Sequence, residues 1–451
     1  MKAKKLLSYP KKAAVLWMLF TVFLLVFGPI KWKIPSYPKL IIVLLIYIGA
    51  FALGYAYQQH KWLARFRKEG IEPPCDPYAP TFGFLKELPF KSVRLAFLVS
   101  CAFSILRGSI VINRLAQVVN IEALLNFDIA TAYFERLEAA PWGTWYILLL
   151  NMLYVLELFW YILGILYYKR MNLLYKVLFY ITLAVNIVYN FLAGEMIRWG
   201  IYIFRLIPFL LLTMYTIKHS TKEKTAQEMK RVRQNKRMLR VVVILVIVFL
   251  LFFSFMQESR SDYMGYEELS YGERTEIAAF IEEERPWPIL NDIIYPMDFY
   301  ITHGYCAMAY AMELPPKFTF GIGHSRDLVR YLLNYTGINL TRDIYPQRLE
   351  DAYGWDNGMF WPSAFTWFAS DWTFWGIPVL MFLFGMFLCN VWCAALFEKS
   401  ITAITLFSWL WVGIFFISAN NQLFQSFQTC MGTIVLIILY ALRKTLPRFV
   451  I

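Results

Sequence analysis

Glu195, Arg198, Tyr202 and Arg205 follow one another at steps of three, four and three residues, a spacing that puts all four on one helix face. The stretch that carries them is otherwise apolar, and ionisable groups inside an apolar span are costly enough to be functional candidates by default. Arg198 lies near the end of that span and can snorkel to the interface. Arg205 lies about 12 Å deep at 1.5 Å per residue and needs a polar cavity or a counter-charge. Glu157, in another apolar stretch, is the expected counter-charge, and Arg107 adds a third cation. Two chemistries fit: a buried ion-pair network that fixes helix register, or a site where guanidinium forks grip an anion such as phosphate.

A second constellation is Phe320-Gly321-Ile322-Gly323-His324-Ser325-Arg326. Its two glycines allow close approach of backbone to an anion, Arg326 can bind phosphate bidentately, and His324 can donate or accept a proton. The third glycine of a nucleotide loop is missing, so the motif reads equally as a plain turn. A third runs from Trp361 to Gly376, where four tryptophans, Trp361, Trp367, Trp372 and Trp375, surround Asp371. Tryptophans so placed form a membrane-interface belt, or a platform on which pyranose faces stack while the carboxylate takes hydroxyl hydrogens. Asn420, Asn421, Gln422, Gln425 and Gln428 crowd one further turn, where amides either bind sugar hydroxyls or satisfy exposed helix ends. Cys389 and Cys393 are four apart with no further Cys or His nearby, which favours helix packing over a metal site. No metal or other cofactor is expected.

The elements that must position these groups are membrane helices. In 451 residues, 59% are hydrophobic and 17% charged, a balance that excludes a soluble protein. The net charge of +13 does not indicate nucleic acid, because the cations map to the ends of apolar segments. Ten such segments approach the roughly 20 residues a span requires: Ala13 to Ile30, Leu40 to Tyr57, Val93 to Asn113, Trp145 to Tyr167, Leu173 to Gly194, Ile197 to Ile217, Val241 to Met256, Thr373 to Phe397, Ile401 to Ser418 and Phe424 to Leu442. The Lys-rich start with no small-x-small cleavage pattern reads as a retained signal anchor. Most of the 44 Lys and Arg then fall on the side of the termini, which the positive-inside rule makes cytoplasmic; Lys31, Lys33 and Lys39 run against it. The chain divides into a bundle of seven spans (1–256) with a basic cytoplasmic loop (218–240), an extracytoplasmic segment (257–360), and a bundle of three spans (361–451). The 257–360 segment holds 17 Asp and Glu against eight Lys and Arg. Within it, Ile289 to Met312 is semi-apolar and broken by Pro296, as an interfacial or re-entrant helix would be. Cys306 is the one cysteine expected outside, so no external disulfide can form.

From Glu195 onward the plan of a basic loop, a span, one long outside segment and a re-entry at Asn357-Gly358-Met359-Phe360-Trp361-Pro362-Ser363-Ala364-Phe365-Thr366, leading to Ser370-Asp371-Trp372-Thr373-Phe374-Trp375-Gly376, resembles the oligosaccharide repeat unit polymerases, the Wzy-type O-antigen and capsule polymerases. Arg198 stands one step later than the family's Gly-x-x-Arg segment has it, and Trp372 replaces the usual residue after the aspartate.

The resemblance implies an all-α, polytopic, GT-C-like bundle in the bacterial inner membrane. It also implies transfer of a growing polysaccharide from undecaprenyl diphosphate to the terminal sugar of an incoming lipid-linked repeat unit, at the outer face. Its partners would be undecaprenyl diphosphate-linked oligosaccharide, membrane lipids, a flippase and chain-length regulator proteins. On that reading Arg198, Arg205 and Arg326 hold the diphosphate. His324 or Asp371 takes the acceptor proton, and Trp367, Trp372, Trp375 and Asn421 bind sugar. The first outside loop, Lys31 to Lys39, has no carboxylate to hold a divalent ion, which argues for a metal-independent enzyme. Two alternatives share parts of this chemistry. A lipid-linked oligosaccharide flippase would want arginines in a cavity but also pseudo-symmetric halves, and no internal repeat is evident. An O-antigen ligase-like transferase would use the same donor.

Overall fold

The computed structural model describes residues 2–70, 90–117, 145–192, 197–209, 272–274, 288–356, 360–398 and 400–445, with scattered positions between 233 and 251. In chain order the elements are α1 (Lys2–Phe27), β1 (Ile30–Trp32), α2 (Tyr37–Glu69), α3 (Phe90–Leu115), α4 (Trp145–Met152), α5 (Glu157–Tyr167), α6 (Leu173–Leu192) and α7 (Ile197–Phe204). They continue with β2 (Gly272–Arg274), α8 (Pro288–Ala311), α9 (Arg326–Thr336), α10 (Tyr345–Tyr353), α11 (Ala364–Cys393), α12 (Ile401–Phe416) and α13 (Phe427–Ala441). Two compact units result. One is Met1–Pro73 with Glu268–Cys393 and Leu410–Cys430; the other is Pro74–Glu267 with Ala394–Trp409 and Met431–Ile451.

Among the described residues the chain is an all-α polytopic membrane protein apart from one short ribbon, but the expected ten spans in a GT-C-like bundle are not what is found. Among the described residues six helices are long and apolar enough to cross a bilayer: Lys5–Phe27, Tyr37–Glu69, Val93–Leu115, Leu148–Tyr167, Leu173–Leu192 and Ala364–Glu398. The arrangement carries no GT-C signature. Length is the physical reason. The 16 residues of α12 and the 15 of α13 reach only about 24 and 22 Å at 1.5 Å per residue, short of a hydrocarbon core of roughly 30 Å. The apolar run expected as the sixth span gives α7, of eight residues, and a turn at Arg205-Leu206; its remainder, most of the seventh span and most of the basic loop lie outside the described residues.

In the first unit α2 lies along α11 with backbones touching. A Cβ on Gly54 would sit 1.9 Å from the Phe382 carbonyl oxygen, and one on Gly385 would sit 2.2 Å from that of Phe51, so both positions require glycine. β1 and β2 pair antiparallel, Lys31 opposite Glu273. Lys33 then reaches Glu273 at 3.0 Å and Lys39 reaches Glu313 at 2.8 Å. Two of the three lysines that break the positive-inside pattern are thus matched by carboxylates of the acidic segment. In the second unit α3, α5 and α6 pack together: Ser100 Oγ takes the Trp160 N–H at 2.7 Å, and Asn186 Nδ2 donates to Ser104 Oγ at 2.8 Å.

The helix α8 buries two titratable groups in the first unit. Asp298 accepts the Ile30 N–H at 3.2 Å beside Gly28, where a Cβ would come within 2.7 Å of the carboxylate. Burial pushes the Asp298 carboxyl up to about 7 and pushes His303 down to about 4. The two act on stability in opposite directions. A raised carboxyl contributes stability that is complete below its ordinary 3.8 and is lost as pH climbs through the folded value. A depressed imidazole contributes stability present above its ordinary 6.5 and lost as pH falls. The difference in unfolding free energy between Asp298→Asn and wild type should therefore grow by about 1.4 kcal/mol per unit from roughly pH 4 to 7 and level off above. Denaturation in detergent across that range checks it, and a flat difference would show a carboxyl ionising at its ordinary value.

Candidate functional site

The first unit holds the His324–Asp371 pair. The helix α11 is two helical pieces joined at Thr373, whose φ of 57° and ψ of 164° no threonine adopts without strain. Around this break the Ser370 carbonyl accepts the Thr319 N–H at 3.2 Å and the Phe374 carbonyl accepts the Tyr47 hydroxyl at 2.7 Å. The turn that reaches Ser370 starts at Thr319 and passes through Phe320 (φ 54°) and Gly321 (φ 80°), both left-handed. Asp371 lies beneath it. Its Oδ1 accepts from the Thr319 hydroxyl at 2.6 Å and the Gly323 N–H at 2.9 Å. Its Oδ2 accepts from the His324 N–H and from His324 Nδ1, each at 2.9 Å. The single hydroxyl hydrogen of Thr319 is shared with the Ser370 carbonyl at 2.8 Å. A Cβ on Gly323 would fall 2.0 Å from Thr319 Oγ1, so a side chain there would displace the donor that anchors Asp371.

This geometry assigns the two candidates different work. The Asp371 carboxylate is occupied by four donors, whereas His324 spends one nitrogen on it. Donation from Nδ1 leaves Nε2 as the acceptor of the neutral ring, and Nε2 has no partner among the described residues. Phe368 stacks on the imidazole at 5.7 Å between centroids and Phe424 meets it edge-on at 5.4 Å. Asn421, buried, donates Nδ2 to the His324 carbonyl at 2.8 Å. The result is an imidazole fixed in tautomer and orientation, the arrangement a general base needs.

The tryptophans separate. Trp367 is 1% exposed and belongs to a core cluster with Val329 and Ile344, so it offers no face to a sugar. Trp372 and Trp375, flanking Thr373, are 48% and 89% exposed. Arg326 opens α9, capped by Ser325, and lies 3.8 Å from Asp327 with its Nε making no hydrogen bond.

The second unit holds the arginine pocket, a small cleft partly open to solvent. Its lining includes Tyr154, Glu157, Tyr189, Arg198, Tyr202, Arg205 and Trp409. Arg107 takes Glu157, Nη1 to Oε2 at 2.6 Å, so the expected Glu157–Arg205 pairing is replaced by a Glu157–Arg107 one. Arg198 donates to the Tyr189 hydroxyl and lies over that ring at 4.9 Å. Arg205 is 2% exposed, donates Nη2 to the Leu158 carbonyl, and lies over the rings of Tyr161 and Trp409 at 5.7 and 5.8 Å. Its Nε makes no hydrogen bond, and among the described residues no carboxylate stands within 4 Å of it.

No family model, curated protein or solved structure matches the chain.

The structure brings His324, Asp371 and Asn421 into one hydrogen-bonded cluster and Arg198 and Arg205 into one pocket, while Arg326 belongs to the unit of the cluster. Glu195 lies outside the described residues. Reading the sequence alone missed Thr319, 52 positions from the carboxylate it holds, and Arg348, a buried cation on a short polar helix. Nothing local marks the first. The second is marked only by an arginine followed by a leucine at the centre of α10.

Proposed function

We propose that the chain is a membrane glycosyltransferase that polymerises undecaprenyl diphosphate-linked oligosaccharide repeat units at the outer face of a bacterial cytoplasmic membrane. The observation that carries this reading is the His324–Asp371 pair with an open Nε2 beside the helix break. In the reaction the acceptor hydroxyl oxygen bonds to the anomeric carbon of the donor sugar, the bond from that carbon to the diphosphate oxygen breaks, and the diphosphate leaves with the electron pair. The hydroxyl proton passes to His324 Nε2, and Asp371 stabilises the imidazolium that forms. Asp371 is a positioning residue in this scheme, and so is Asn421.

Two further features support it. The arginine pocket is lined by two guanidiniums, Arg198 and Arg205, and its carboxylate, Glu157, is neutralised by Arg107, so two positive charges are left to match those of a diphosphate diester. The part of α11 after Thr373 is roughly 20 residues, about 30 Å, enough to span the hydrocarbon by itself. Exposed Trp372 and Trp375 on either side of Thr373 are the residues that favour the bilayer interface, which is headgroup depth.

The deciding experiment supplies the purified full chain, in detergent or liposomes, with lipid-linked repeat units alone. A ladder of longer products is the expected result. Transfer only to an added lipid core acceptor would replace polymerase with ligase. Movement of the lipid between leaflets without new glycosidic bonds would replace both with a transporter.

A further inference from the structure

We propose that Arg348 is an anion-binding residue for the ligand that His324 serves. Arg348 lies on α10, is 9% exposed, and has a buried Nη1 without a hydrogen-bond partner. Among the described residues no carboxylate stands within ion-pair distance of it. The acidic residues of the neighbourhood are engaged elsewhere: Asp343 with Lys317 at 2.6 Å, and Glu350 and Asp351 with Gln347 at 3.4 and 3.1 Å. Its guanidinium lies 5.1 Å from the centre of the Tyr345 ring and interacts with that residue's hydroxyl. A ring face and one hydroxyl leave Nη1 without an acceptor. Burying a guanidinium N–H without an acceptor is costly, and a helix nine residues long could turn it to solvent instead.

The position of α10 ties this cation to the dyad. The Tyr345 N–H donates to Ser370 Oγ at 3.0 Å, next to Asp371, and the Tyr345 ring packs on Phe374 at 5.1 Å, just past the break at Thr373. Arg348 lies one turn further along α10, and its own N–H bonds to the Ile344 carbonyl. Ile344 packs in turn against Trp367, one turn before Asp371 on α11. A planar fork held there recognises an oxyanion, either phosphate or the carboxylate of an acidic sugar. This rests on the assignment of His324 and Asp371 to the substrate site, not on turnover.

Binding measured without turnover separates the two. Thermal stabilisation of the detergent-solubilised full chain is titrated with inorganic diphosphate and, separately, with glucuronate, for wild type, Arg348→Gln, Arg348→Lys and Arg205→Gln. Arg205→Gln controls for the arginine pocket. The expected result is that at least one anion stabilises the wild type, that Arg348→Gln raises its half-saturating concentration about tenfold or more, and that Arg348→Lys raises it several-fold. Dependence with diphosphate assigns a carrier phosphate, and dependence with glucuronate alone assigns an acidic sugar. If Arg348→Gln does not fold, Arg348→Lys carries the comparison. Titrations that match wild type in the Arg348 variants, with any loss confined to Arg205→Gln, would overturn the proposal whatever the outcome of polymerisation assays.

Discussion

Polymerisation by His324→Gln should fall by about three orders of magnitude, with binding of the lipid diphosphate donor within a few-fold of wild type. Glutamine keeps the size and a hydrogen-bonding end but cannot take a proton near neutral pH. The loss should therefore appear in kcat rather than in KM. Asp371→Asn should come close to it for a different reason. Four donors converge on the Asp371 carboxylate, and an amide replaces one of its two acceptor oxygens with a donor. Two hydrogen bonds then become donor–donor contacts, and the imidazole loses the acceptor that fixes its tautomer. A His324→Gln variant with wild-type rate would remove histidine from the mechanism.

The second large effect belongs to Arg205. Lysine at this position keeps the charge but loses the planar fork and the stacking between Tyr161 and Trp409. A fall in kcat/KM of roughly a hundredfold, about 2.7 kcal/mol, is expected for Arg205→Lys. Arg205→Ala should be at least as inactive and still fold, because the carboxylate that lines the pocket among the described residues, Glu157, is held by Arg107 and is not stranded by the change. The reverse holds for Arg107. Replacing it with alanine takes the ion-pair partner from the buried Glu157, a loss of about 3 kcal/mol that should show as reduced accumulation. Normal polymerisation by Arg205→Lys would mean that this guanidinium binds nothing the reaction needs.

What was legible in the sequence followed the range of the interactions. Arg198 and Arg205 meet in one pocket because helical phase is a local property, read directly from a step of seven residues. Glu157 shows where that reading stops: Arg107 and Arg205 were both plausible partners by type, and the choice depends on how α3 and α5 align, which no single helix encodes. The four donors to Asp371 come from a turn about fifty residues away and gather only because the helix breaks at Thr373. Hydropathy overcounted the spans because it registers apolar residues and not unbroken helix. Between α12 and α13 the chain leaves the helix over residues 417–426, with buried Asn420 and Asn421 among them. The tryptophans look alike in the sequence, yet Trp367 faces the core of the first unit while Trp375 stands almost fully exposed beyond the break.

The length of α11 beyond Thr373 has a consequence for kinetics. On the proposed function, with roughly 20 residues filling the hydrocarbon and the dyad at their end, a donor bound there would keep its polyprenyl tail in lipid while the acceptor sugar arrives from water. Encounter with the donor then takes place in two dimensions. The variable that governs its rate would then be the mole fraction of lipid-linked donor in the membrane, not its concentration in the bulk, and diluting that donor with inert phospholipid at constant total amount should slow the proposed reaction.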